Sequence, residues 1–98
     1  DTWLTWMDGH CPVAEQLVAQ RSSVFQGIRA TSLAQVVRDI ANAVRTRRAV
    51  GGVLFVPNAA KAMCYANRCS MLRAVVGTCG EAVEQGVSDV GANVLVIE

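Results

Sequence analysis

Gly52-Val53-Leu54-Phe55-Val56 is an unbroken apolar run closed by Pro57-Asn58. A strand with one wet face alternates apolar and polar side chains, so a run without alternation fits a strand covered on both faces, as in a parallel sheet between helical layers. Leu72 to Val76 and Asn93 to Ile97 read the same way. An earlier strand spans Thr2 to Met7, with Trp3 and Trp6 on opposite faces, and a short one runs from Ser23 to Gln26.

Longer helical patterns separate these runs. Thr31-Ser32 caps a helix whose apolar positions Leu33, Val36, Val37, Ile40, Ala41 and Val44 recur at helical spacing. Pro12 suits the first turn of a helix reaching about Arg21. Asn58 caps Ala59 to Arg68, and Thr78 caps Cys79 to Val87, with Glu81 three residues after the cap as in a capping box. Strand and helix therefore alternate from end to end, which predicts a three-layer α/β/α, Rossmann-like domain on a five-stranded, mostly parallel sheet. A chain of 98 residues has room for one such core, so residues 1–98 read as a single domain.

Composition narrows the function classes. Apolar residues are 52% of the chain, charged residues 17%, and the net charge is +1, which matches a buried sheet and gives no electrostatic footprint for nucleic acid. The one basic run, Arg45, Arg47 and Arg48, falls where a helix ends and reads as a solvated terminus. No stretch is long enough to span a bilayer. The cysteines Cys11, Cys64, Cys69 and Cys79 form no CxxC pair, and His10 completes no zinc pattern with them, so neither metal nor cofactor is expected. Cys64 is expected inside a buried helix with Met63, which argues for unpaired thiols and an intracellular compartment, cytoplasm or an organelle matrix. The chain begins at Asp1 without methionine or a charged leader segment, which leaves a removed leader or a larger parent protein open.

Four landmarks in the second half carry a resemblance: Gly52-Val53-Leu54-Phe55, Ala66-Asn67-Arg68, Leu72-Arg73-Ala74 and Ala92-Asn93-Val94-Leu95. In this frame the chain resembles, without a gap, the RpiB/LacA/LacB sugar-phosphate isomerase family, the type B ribose-5-phosphate isomerases. Ala41-Asn42-Ala43-Val44 is similar to the family's helix before that strand, and Asp8-Gly9-His10 to a disturbed copy of its Asp-His motif. The segment between His10 and Ser32 looks shorter than in the family, and the family's C-terminal helix has no counterpart. The resemblance implies an aldose-ketose isomerase of carbohydrate metabolism acting on a sugar phosphate, in a dimer whose sites take residues from both subunits.

Moving a carbonyl between C1 and C2 requires a base for a carbon-bound proton and donors for the developing enediolate. By the resemblance, the family's cysteine base corresponds to Val56 and the alternative glutamate base to Ala62, and neither residue here can take a proton. The family's glycine-rich anion loop corresponds to Pro57-Asn58-Ala59-Ala60-Lys61, which has no glycine and, at Pro57, no N–H to give. The Tyr-Pro pair corresponds to Leu33-Ala34. The later histidine corresponds to Asp89, beside Val90, and a carboxylate there repels a phosphate.

No catalytic residue is therefore expected. Asp8, His10, Asn58, Lys61, Asn67, Arg73, Cys79 and Asp89 remain as the members of a vestigial site. Several have a plainer reading: His10 as a polar strand end, Cys79 as a partly buried thiol, and Asn67 and Asn93 as residues that fix backbone turns. Trp3, Trp6 and Met7 read as core, with an interface as the alternative. The expectation is a degenerate domain with a structural or protein-binding role in a homodimer or larger assembly. The alternative is a sugar-phosphate isomerase or binder with a rearranged site built from His10, Cys79, Asp8 or Lys61.

Overall fold

The computed structural model describes residues 2–9, 11–77, 88–89 and 91–98. Its elements are β1 (Trp3–Met7), α1 (Pro12–Gln20), β2 (Phe25–Gly27), α2 (Leu33–Arg45), β3 (Gly51–Phe55), α3 (Ala59–Asn67), β4 (Ala74–Val76) and β5 (Val94–Ile97). The five strands form one sheet in the order β2-β1-β3-β5-β4, and every neighbouring pair is parallel. The expected α/β fold is thus the observed one. The expected helix from Cys79 to Val87, with its cap at Thr78, lies outside the described residues.

The burial pattern follows the two-residue period of a strand. Trp6, Leu54, Val56, Val94, Val96 and Ala74 share one face and pack with Val36, Val37 and Ile40 of α2 and with Ala59, Ala62 and Ala66 of α3. The opposite face carries Thr5 and Val53, both buried, and the half-buried Phe55, Leu95 and Ile97. Right-handed crossovers put α1 on that second face, because β1 connects to β2 in one direction along the sheet and β2 to β3 in the other. Of α1 only Ala14 is buried, while Val13 and Leu17 are 71% and 54% exposed. Among the described residues the first face therefore supplies the larger share of the core.

Capping sets the helix starts. The Ser32 side chain accepts a hydrogen bond from Gln35 N at 3.2 Å, and Asn58 Oδ1 accepts one from Lys61 N at 3.0 Å. Each satisfies a first-turn amide that the helix itself cannot.

Several expected bounds shift for local reasons. β4 begins at Ala74 rather than Leu72, because Arg73 N and Ala74 N donate to the side chains of Asn93 and Asn67, and Asn93 N donates back to Arg73 O. Arg21 O accepts from both Val24 N and Phe25 N, a turn that delays β2 to Phe25. Cys64 is exposed, contrary to the expected burial, because the small residues Ala59, Ala62 and Ala66 make the sheet-facing stripe of α3. Met63 is partly buried against the core, as expected. No helix among the described residues is long and apolar enough to cross a membrane.

Candidate functional site

In an open parallel sheet the loops after two neighbouring strands leave a crevice where the chain reverses its direction of travel along the sheet. That point here lies between β1 and β3, at their carboxyl ends. Asp8 N donates to Phe55 O at 2.9 Å, and Val56 N to Ile97 O at 2.9 Å, so the residues just past β1, β3 and β5 stay in register. Gly9 follows with φ +101°, a backbone conformation that side-chain-bearing residues rarely adopt, and turns the chain out of the sheet.

Two of the cavities at this edge border the point between β1 and β3. A further one of about 520 Å³ lies beside the ends of β1 and β2, lined among others by Trp6, Met7, Ile28, Arg29 and Thr31. On the α2/α3 side a cleft of about 370 Å³ is lined by Trp6, Asp8, Thr31, Ser32, Leu33, Val56, Pro57, Asn58 and Lys61. The N-termini of α2 and α3 both border it, through their caps Ser32 and Asn58. Trp6 forms part of its wall, its ring held by a 3.2 Å hydrogen bond from Nε1 to Ala30 O. On the α1 side a more apolar cavity of about 470 Å³ runs along Val13, Leu17, Phe55 and Ile97 and shares Asp8, Val56 and Pro57 with the first.

Asp8, Asn58 and Lys61 therefore surround one cleft, with Val56 at its floor and only 7% exposed. Ala62 is fully buried on the sheet-facing side of α3. Asn67 and Arg73 are placed elsewhere, since the end of α3 and the start of β4 lie at the amino edge of the sheet. The length of β3 separates them from the cleft, about 15 Å at strand rise. Asn67 Oδ1 accepts from Ala74 N at 2.8 Å, and Asn93 Oδ1 accepts from Arg73 N at 2.8 Å while its Nδ2 donates to Met71 O at 2.9 Å. Both side chains are engaged in holding backbone. Asp89 is exposed. His10, Cys79 and Val90 lie outside the described residues.

The Thr31–Leu33 segment, read from the sequence as a helix cap followed by the counterpart of the family's Tyr-Pro pair, shapes one wall of the cleft, where Thr31 N and Oγ1 both donate to Gln35 Oε1 at 3.3 Å. A feature of the edge that the sequence does not single out is Glu98, whose Oε2 accepts a hydrogen bond from Ala59 N, the first amide of α3, at 2.9 Å. A charged residue directly after the apolar run of β5 is the signal that marks it, but only the strand order shows that it faces α3. Among the described residues no group of three or more His, Cys, Asp or Glu side chains is arranged to hold a metal ion.

No family model matches the chain, and no curated protein does. Solved structures do. The ribose 5-phosphate isomerase RpiB of Thermotoga maritima superposes with a TM-score of 0.79 at 14% identity, over 98% of this chain and 72% of that one. The Giardia lamblia RpiB gives 0.76 at 16% identity, over 98% and 78%. The Mycoplasma genitalium ribose-5-phosphate isomerase B with bound ribulose-5-phosphate gives 0.80 at 11% identity, over 99% and 71%. This chain has the fold of the type B ribose-5-phosphate isomerases.

Proposed function

We propose that the chain is a catalytically degenerate domain of the RpiB-like group, with a structural or protein-binding role in a homodimer or larger assembly. The observation that carries this reading is Val56. It follows directly on β3 at the floor of the crevice, is 7% exposed, and packs in the core with Leu54, Val94 and Val96. By the family resemblance this is the position of the base, and an isopropyl group accepts no proton. The loop that follows adds to the case. Pro57 lacks an N–H, Lys61 N donates to Asn58 Oδ1 and Ala59 N donates to Glu98 Oε2, so two of the loop amides that would face an enediolate oxygen already have partners from the chain itself.

The test is calorimetry with ribose 5-phosphate and related pentose and hexose phosphates, with inorganic phosphate as control, followed by an isomerisation assay. The expected result is no saturable binding at millimolar concentration and no turnover. Saturable binding of a sugar phosphate would establish the alternative, a rearranged isomerase or binder using Asp8 and Lys61 across the cleft. Sedimentation of the purified chain reads the assembly, and a monomer at every concentration would remove the homodimer.

A further inference from the structure

Among the described residues β4 ends the sheet, with β5 on one side and no strand on the other. Arg73 O accepts from Val94 N at 3.2 Å and Gly77 N donates to Val96 O at 2.9 Å, so alternate residues of β4 from Arg73 onward turn their backbone groups toward β5. Ala74 and Val76, lying between them, turn theirs outward. An edge of this kind is a template for another strand. Leu72, Ala74, Val75 and Val76 also make an apolar stretch without proline, the composition that pairs readily with its own copy. Yet the first outward residue is already taken. Asn67, the last residue of α3, lies alongside it, with Oδ1 accepting from Ala74 N at 2.8 Å and Nδ2 donating to Ala74 O at 3.4 Å. One side-chain amide thus holds both backbone groups of one residue, as the opposite residue of an antiparallel strand holds them.

We propose that the edge of β4 is a pairing surface for a second copy of this chain and that Asn67 holds it shut. Two copies related by a twofold axis at Val75 would set Ala74 of each opposite Val76 of the other, and each such pair exchanges two hydrogen bonds. Every bond of that pairing uses a group of Ala74. The Asn67 amide therefore blocks all of them at once, which a cap on Val76 or on a flanking residue does not do more completely. The proposal goes beyond the non-catalytic reading and does not depend on it, since it concerns a contact that the wild-type chain avoids.

The experiment compares the sedimentation of the wild type and Asn67→Ala over a range of concentration. The variant is expected to associate one step further than the wild type, monomer to dimer or dimer to tetramer, with that step tightened roughly tenfold or more by the freed hydrogen bonds. Its Ala74 and Val76 amides should gain protection from exchange as concentration rises, and those of the wild type should not. Adding Val76→Pro removes an outward N–H at an edge position where proline is tolerated, and it is expected to return the sedimentation to that of the wild type. Asn67→Ser, too short to span both groups of Ala74, serves if the alanine variant does not fold. A folded variant that sediments as the wild type at every concentration would overturn the proposal. So would extra association that Val76→Pro leaves intact or that dilution fails to reverse, because it then arises from another surface or from unfolding.

Discussion

Two adjacent glycines in β3 show how tightly single residues are specified. A Cβ on Gly52 would meet Ile40 Cδ1 at 2.6 Å, and Ile40 is fully buried, so the methyl has little room to yield. A Cβ on Gly51 would run into the backbone carbonyl of Asn93, which cannot move without breaking its 2.9 Å bond from Gly52 N. Gly52→Ala is expected to cost about 1–3 kcal/mol by overpacking, and Gly51→Ala more, because backbone yields less than a methyl group. Urea unfolding of the two variants gives the order, and a Gly51→Ala protein as stable as Gly52→Ala would contradict it. Asn93 is specified as strictly, since its amide ties Arg73 N to Met71 O. Asn93→Ala is expected to cost about 1–3 kcal/mol through the polar groups it strands, and a melt within experimental error of wild type would show that water replaces it freely.

At the scale of elements the fold was largely legible, and the reason is local. Ser32 and Asn58 are good caps ahead of helical periodicity, and both cap as the sequence suggests. Asn58→Ala is expected to cost about 1 kcal/mol and to shift the Lys61 amide, which loses its acceptor; a spectrum with Lys61 unmoved would argue against the cap. The order of α and β follows from the same periodicities. What was not legible depends on partners distant in sequence. The start of β4 is set by Asn67 and Asn93 from other elements. The exposure of Cys64 depends on which stripe of α3 meets the sheet, and alanines win because they let the helix approach closely. Around the cleft, Val56 and the Pro57–Lys61 loop could be weighed from sequence. Glu98 could not, because its contact crosses from β5 to α3.

Among the described residues the two faces of the sheet contribute unequally to stability. Ile40, Val36, Leu54, Val94 and Val96 are fully buried between the sheet and α2/α3, whereas α1 buries only Ala14 and leaves Val13 and Leu17 in contact with solvent. Apolar area removed from water is the main favourable contribution to folding, so opening α1 exposes little new surface and opening α2 exposes much. Local openings span the range from near zero to the full unfolding free energy, and the least buried elements sit at the low end. Amide exchange is therefore expected to be fast across Val13–Gln20 and slow across Val36–Ala43 and Val53–Leu54. Ile40→Ala, which empties the centre of the α2/α3 face, is expected to cost about 2–5 kcal/mol. It should accelerate exchange in α2 and β3 together, since both then open by global unfolding. The same measurement bears on assembly, because a partner that covers α1 would raise its protection as protein concentration rises and leave α2 unchanged. Exchange in α1 as slow as in α2 at every concentration would show that the second face is held more firmly than its burial implies.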